Sequence, residues 1–389
     1  MNIIDGKSYE EAIEYINSLS QFVAGTGCER AEKLLGRLGN PQDKLKVIHV
    51  AGSNGKGSVC AYLAGILQEN GYKTGLFTSP HLIDERERIR INGMMITKEE
   101  FAEAYARVKA VEDELGKGSL AYFDYFLGIA FIVFLKQNVD ICVIETGLGG
   151  RLDATNAVKN PVLDIIATIS LEHTAILGDT IEKIAEEKSG IIKNNVPVVF
   201  IKDKKSVTDI IEKNAEENNC EAYGVTQKDF QIIKNYGYCI DFSLNNMYYK
   251  NDCFTITTGA VYQVQNCSLA LTAAEVLKKT GVVKLESNAV HKAVKKVQWH
   301  GRMEQIADNI YVDGAHNPEG VEALICSVSP ITCGRKTVLL FSVVNDKDYD
   351  RMIKSICDSN MFDYFVIAGI QGKRCLDDSC ISDTFKKYT

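Results

Sequence analysis

The sequence predicts an α/β protein in two parts, a larger N-terminal unit with a mostly parallel sheet flanked by helices and a smaller C-terminal α/β unit. Three observations predict it. From Lys46 onward, short β-branched runs alternate with longer helical patterns. A second alternation of the same kind begins near Met303. The chain has 389 residues with 46% hydrophobic content, enough to bury two cores.

In chain order, the strands of the first part are expected at Val47 to Ala51, Thr74 to Phe77, Asp140 to Glu145, Asp164 to Ile169 and Val196 to Ile201. Ligands of such sheets gather beyond the carboxyl ends of the strands, so the loops after Ala51, Phe77, Glu145 and Ile169 should converge. The most apolar run, Tyr122 to Leu135, contains Asp124 and is shorter than the roughly 20 residues a membrane helix needs. It reads as a buried helix, with no membrane partner. Residues from Asp203 to Asn251 are polar and weakly periodic, and are expected as a strand-rich flap on the first part. Strands at Ile310 to Val312, Thr337 to Phe341 and Tyr364 to Ala368 give the second part a Rossmann-like pattern, with the boundary at Gln298 to Arg302.

Composition narrows the function. A formal charge of -7 and a pI near 5.6 argue against nucleic acid, which normally draws an excess of Lys and Arg. The twelve cysteines are scattered, without CxxC pairs or His at zinc spacing, and read as reduced, mostly buried small hydrophobes. An acidic, amphipathic N-terminus without a basic leader or apolar stretch gives the expectation of a cytoplasmic protein.

KVIHVAGSNGKGSVCAYLAGIL runs strand, glycine loop, helix, with Val59, Tyr62, Leu63, Ile66 and Leu67 on one apolar face. Glycines 52, 55 and 57 let backbone N–H groups curl around phosphate oxygens, and the helix N-terminus adds its positive dipole. Lys56 is placed to reach β- and γ-phosphates. The spacing departs from GxxxxGK[ST], because Val50 takes the first glycine position and Gly57 separates Lys56 from Ser58. This predicts a variant P-loop and ATP as the nucleotide.

Glu145 ends an apolar strand and enters ETGLGGRLDATN, where its carboxylate suits a magnesium ion. Ser79 in TSPHL and His173 in SLEHTAILG follow other strands and share that rim. Alone, a Ser beside Pro is commonly a turn, and a lone His is more often structural than a ligand. Lys188, seven residues after Ile181 and four after Ile184, falls on the inward face of its helix. A buried ammonium tends to lose its proton, and the neutral amine reacts with carbon dioxide to a metal-binding carbamate. Spacing alone favours an ion pair with Glu145 or Glu172 instead.

HVAGSNGKGS, TSPHL, RIRING, ETGLGGRLDATN, LEHTAILGDTIEKIAEEKSGIIK, GRMEQ and DGAHNPEG, in this order, resemble the folylpolyglutamate synthase and dihydrofolate synthase family of the Mur ligase group. The resemblance implies an ATP-binding Mur-ligase-like central domain over 1–297, a hinge linker over 298–302 and a glutamate-ligase-type domain over 303–389. It implies ligation of L-glutamate to a folate or dihydropteroate carboxylate through an acyl phosphate, with ATP, Mg2+ and a monovalent cation such as K+, by a monomer. Asn54, Gly55, Lys56, Gly57 and Ser58 would bind the triphosphate, and Asn266, Arg302 and Asp313 the rest of the nucleotide. Ser79, Glu145, His173 and Lys188, as its carbamate, would hold magnesium. His316 would lie by the incoming glutamate, and Lys56, Lys188 and His316 form the catalytic set. Gly27, Cys28, Glu29, Arg30, Phe123, Asp124, Leu152 and Asp153 would line the pterin side.

The chain departs from that pattern at Ser53, Ala121, Asp124, Leu127, Glu172, Tyr262 and His300. It also stops at Thr389 without the final strand the family carries, which predicts a shortened second domain. Two other readings are a Mur-type ligase for another acceptor and a nucleotide-binding protein without catalysis.

Overall fold

The computed structural model describes residues 7–20, 23, 25–332, 334–370, 372 and 374–389. Eight strands form one sheet: β1 (Val47–Ala51), β2 (Thr74–Phe77), β3 (Ile89–Ile91), β4 (Met94–Met95), β5 (Ile141–Glu145), β6 (Leu163–Ile166), β7 (Val198–Ile201) and β8 (Ala222–Val225). Their order is β4-β3-β2-β5-β1-β6-β7-β8, parallel except for the antiparallel edge made by β3 and β4. Every residue of β1 and β5 is buried, as the unbroken apolar runs require of central parallel strands.

The helices of this part are α1 (Lys7–Ser18), α2 (Gly27–Arg37), α3 (Lys56–Glu69), α4 (Lys98–Leu115), α5 (Tyr122–Lys136), α6 (Thr174–Leu177), α7 (Ile181–Ser189) and α8 (Lys205–Glu217). The apolar run from Tyr122 is α5, buried from Asp124 to Phe134. Its Phe126, Phe131 and Phe134 join Leu34, Phe101 and Ile144 in one hydrophobic core. Each such side chain contributes about 1.5–3 kcal/mol by leaving water. A second core joins Ile184, Ile191, Phe200, Val207 and Ile211. No described helix is long and apolar enough to cross a membrane.

β6 stops at Ile166, three residues before the expected end. Beyond it the backbone turns to serve the glycine loop: Thr168 O accepts from Ser53 N at 2.8 Å and Asn54 N at 3.2 Å. A strand neighbour is exchanged for the loop.

Later elements are β9 (Phe230–Asn235), β10 (Ile240–Leu244), β11 (Asp252–Ile256), α9 (Tyr262–Lys279), α10 (Ser287–Lys296), β12 (Glu304–Ala307), β13 (Ile310–Val312), α11 (Pro318–Thr332), β14 (Val338–Phe341), α12 (Tyr349–Asp358), β15 (Tyr364–Ile367) and α13 (Asp378–Tyr388). The chain forms two compact units. The first runs up to Phe230 and adds Leu244–Asp252 and Asn266–Val297; the second comprises Gln231–Ser243, Cys253–Gln265 and Gln298–Thr389. The segment expected as one flap is thus divided: β8 extends the large sheet, whereas residues 231–243 group with the second unit. Within that unit, parallel β14 and β15 pack on α11, α12 and α13 through Phe341, Met352, Ile353, Ile356 and Phe385.

None of the described cysteines is bridged. Cys60, Cys142 and Cys267 are buried, but Cys253, Cys326, Cys375 and Cys380 are exposed, so fewer are core residues than expected. The exposed four all belong to the second unit.

Candidate active site

The glycine loop is held from two sides. Ser53 Oγ donates to Ser170 O at 3.0 Å and accepts from Ser170 N, while Asn54 Nδ2 donates to Ser170 Oγ at 3.1 Å. Gly55 has φ +85°, and a Cβ there would run into the Asn266 side chain on α9. Gly55→Ala therefore strains the backbone and displaces Asn266 together. Its expected effect is at least a tenfold loss of affinity for a non-hydrolysable ATP analogue, read by titration calorimetry.

Lys56 opens α3, its Nζ 2.9 Å from Gly52 O and 3.1 Å from Ser53 O. Ser58, on the first turn, has a buried hydroxyl without a partner, as does Thr146 beside Glu145. Glu145 is buried at the end of β5, and its Oε2 accepts from Ser79 N at 3.0 Å. Glu145 and Lys56 are both near enough to Cys60 to act on its thiol, which burial drives up, with Glu145 adding to the rise and Lys56 opposing it.

Lys188 is 1% exposed, and its Nζ donates to Gly52 O and Glu172 Oε1, each at 2.8 Å. Of the two carboxylates open from spacing, the structure pairs it with Glu172. Burial pulls the Lys188 ammonium down to about 8 against the attraction of Glu172. Burial pushes the Glu172 carboxyl up, but Lys188 and then Lys56 outweigh it and hold it at about 2. His173 is exposed, with a left-handed backbone of φ +47° at the start of α6, close enough to Glu172 to add to that lowering. Among the described residues no three His, Cys, Asp or Glu side chains cluster as a metal site. Of the expected set, Ser79 pairs with Glu145, Lys188 pairs instead with Glu172, and His173 follows Glu172 in the chain.

The expected pterin residues meet where α2, α5 and the 147–155 loop approach one another. Cys28 N donates to Leu152 O at 3.0 Å, and a Cβ on Gly27 would lie 3.0 Å from Leu152 O and Ala154 N. Arg30 Nε donates to Asp124 Oδ2 at 2.7 Å; Asp124 Oδ1 is buried without a partner. Phe123 packs on Phe77 at 5.5 Å and covers Gly147. Leu152 is exposed. Glu29 caps its own helix, accepting from Thr26 N at 3.1 Å.

Asp153 is buried and accepts from Leu148 N, Thr155 N and Thr155 Oγ1 at 2.7, 3.0 and 2.6 Å. Because that hydroxyl proton points to Asp153, His49 Nε2 must donate to Thr155 Oγ1 across 2.8 Å. Burial drives the His49 imidazole to about 3, so it stays neutral. This His49–Thr155–Asp153 chain escaped the sequence reading, since a His inside an apolar strand gives no sign of its partner.

In the second unit, β12 and β13 bring Arg302 and Asp313 together: Gly314 N donates to Gly301 O at 2.8 Å, and Arg302 lies against Gly314. Asp313 accepts from Tyr262 Oη at 2.5 Å, Met303 N at 2.9 Å and Ala315 N at 2.8 Å. His316 is exposed, its Nδ1 2.9 Å from Gly314 O.

A glycine loop with lysine on a parallel sheet, a strand-end carboxylate and a buried second lysine define an ATP-dependent ligase of the Mur type. Residues 50–274 match the Mur ligase middle domain and residues 301–387 the Mur ligase glutamate ligase domain. The dihydrofolate synthase/folylpolyglutamate synthase of Bacillus subtilis is 36% identical over 360 residues, covering 90% of this chain and 83% of that protein. A folylpolyglutamate synthase from Thermotoga maritima superposes with TM-score 0.85 at 32% identity, over 98% of this chain and 88% of the other. A folylpolyglutamate synthase complex with AMPPCP and folate gives 0.86 at 28% identity, over 97% and 93%. The chain belongs to the folylpolyglutamate synthase/dihydrofolate synthase family.

Proposed function

We propose that the protein joins L-glutamate to the carboxylate of a folate-type acceptor, tetrahydrofolate or dihydropteroate, with ATP. The observation that carries this reading is the glycine loop of β1 and α3 beside Glu145 and Ser79, with Lys56 among its carbonyls. Lys56 and the loop N–H groups bind the phosphates and stabilise charge as the γ-phosphoryl moves to the acceptor carboxylate. The glutamate amine then displaces phosphate from the acyl phosphate, with His316 beside the incoming amino acid. Phe123, Asp124, Arg30 and the 152–153 backbone orient the pterin.

Magnesium fits the oxygen-rich rim, because Ser58 on the first turn of α3 and Thr146, next to Glu145 in the chain, offer buried, unpartnered hydroxyls, donors a hard cation prefers. Ser79, Glu145, His173 and carbamylated Lys188 would hold it; when bound it supplies charge neutralisation at the phosphates. A monovalent cation such as K+, a monomeric state and a cytoplasmic location complete the reading, as does a domain plan of 1–297, 298–302 and 303–389.

The test is phosphate release from ATP. It should require glutamate and one of the two acceptors together; release indifferent to both acceptors would sink the reading. The ratio of initial rates on dihydropteroate and tetrahydrofolate then assigns the branch.

Lys188 gives a separate expectation. Only the neutral amine forms a carbamate, and a group titrating near 8 gains that form as pH rises from 7 to 8.5. With 13C-bicarbonate, a carbamate carbon resonance should grow over that interval and be missing from Lys188→Ala. Equal spectra for the two proteins would remove the carbamate from the scheme.

A further inference from the structure

Two cationic side chains are buried among the described residues, Lys188 and Arg88. Lys188 has Glu172. Arg88, 7% exposed, has no carboxylate within ion-pair distance among the described residues. Its Nε donates to His81 Nδ1 at 2.9 Å, and its guanidinium lies 5.4 Å from the Tyr122 ring centroid and 5.0 Å from that of Phe126.

The acids beside it in sequence are engaged elsewhere. Asp84 forks to Arg86, Glu87 caps the N–H groups of Leu82, Ile83 and Asp84, and Glu85 accepts from Asn17. The Tyr122 side chain also hydrogen-bonds the guanidinium, and Glu145 and Glu85 attract it from beyond ion-pair distance, but these neighbours return only part of what a guanidinium loses on leaving water. A permanently charged group in that position is completed by an anion from outside the chain.

Its place indicates which anion. Arg88 O accepts from Thr78 N at 3.0 Å, one residue before Ser79, and Glu145 exerts an attraction on the guanidinium. Tyr122 and Phe126 stand one turn apart on α5, on either side of Phe123 and Asp124. The guanidinium therefore stands between the Ser79–Glu145 pair and the helix that begins the pterin side. Phosphates already have Lys56 and the loop amides.

We infer that Arg88 binds the acceptor's reacting carboxylate and aims one of its oxygens at the γ-phosphoryl group. The inference rests on the proposed function for the identity of the acceptor. Arg88 takes no part in bond making: it holds the anion through N–H groups while the carboxylate oxygen attacks phosphorus and ADP leaves.

The test pairs a residue change with a ligand change in the full chain. The probe is whichever of dihydropteroate and tetrahydrofolate the wild type turns over better, together with that acceptor's carboxamide. In Arg88→Gln the acceptor's dissociation constant should rise on the order of 100-fold, while the carboxamide's changes less than about threefold. AMPPCP binding should be unchanged.

Arg88→Lys keeps the charge and covers the case in which the Gln variant does not fold. It should weaken the acceptor about tenfold and leave the carboxamide alone. Equal loss of both ligands marks Arg88 as a packing residue and overturns the inference, as does unchanged acceptor binding or a loss confined to AMPPCP. Turnover of neither acceptor by the wild type overturns the proposed function itself, a different failure from wild-type turnover with undiscriminating Arg88 variants.

Discussion

Lys56→Met lowers kcat/KM for ATP on the order of 10³-fold while leaving the melting temperature within about a degree. The kinetic figure follows from removing one positioned cation from a phosphoryl-transfer site, worth about 3–4 kcal/mol of transition-state stabilisation. The small thermal effect follows from geometry. Lys56 Nζ bonds only loop carbonyls, at 2.9 and 3.1 Å, and one of them, Gly52 O, also accepts from Lys188. Initial rates over a range of ATP concentrations, with calorimetry alongside, separate the two effects. A loss below tenfold would remove Lys56 from the chemistry.

Lys188→Met should act on stability as well as rate. Removing one partner of a buried ion pair leaves Glu172 charged with its main compensation gone and only the pull of Lys56 and His173 left, at a cost of about 3–5 kcal/mol. The melting temperature should fall by several degrees or more. The pH dependence has a definite sign. In the wild type Glu172 is held at about 2, below its ordinary value, so its contribution is complete above that ordinary value and is lost as pH falls towards 2. Without Lys188, burial raises the carboxyl against Lys56 and His173 alone, so its penalty is greatest at neutral pH and eases on acidification. The gap between variant and wild type should therefore narrow from pH 7 to pH 5. A gap that widens towards pH 5 would mean that Glu172 is not the partner that matters. Turnover should fall on the order of 100-fold or more if the lysine also serves the metal site.

Much of this arrangement was legible in the sequence, for reasons that differ by element. β1, the glycine loop and α3 are contiguous, and strand, turn and helix each carry their own local signal. The inward phase of Lys188 could be counted from Ile181 and Ile184. Its partner could not, because Glu172 lies on a loop that spacing does not place. Its Oε1 lies 2.8 Å from Lys188 Nζ. Arg88 was hidden for another reason. It sits in the run Glu85–Arg88, where consecutive charges leave no period to show which one turns inward. The strands between 222 and 256 are only four to six residues long and are joined by loops rich in Lys, Asn and Asp, so the alternation in Ile240–Leu244 is too brief to place the segment.

The uneven exposure of the thiols gives the molecule a built-in address. A maleimide dye at neutral pH reacts fastest with solvent-facing sulfur, and among the described residues the exposed cysteines are Cys253, Cys326, Cys375 and Cys380, all in the second unit. Cys60, beneath the nucleotide loop, is shielded and its thiol driven upward by burial, so it stays silent. A brief alkylation step therefore colours the second unit first, ahead of the half-buried Cys28 and Cys220 of the first, and a fluorophore placed this way reports on the second unit.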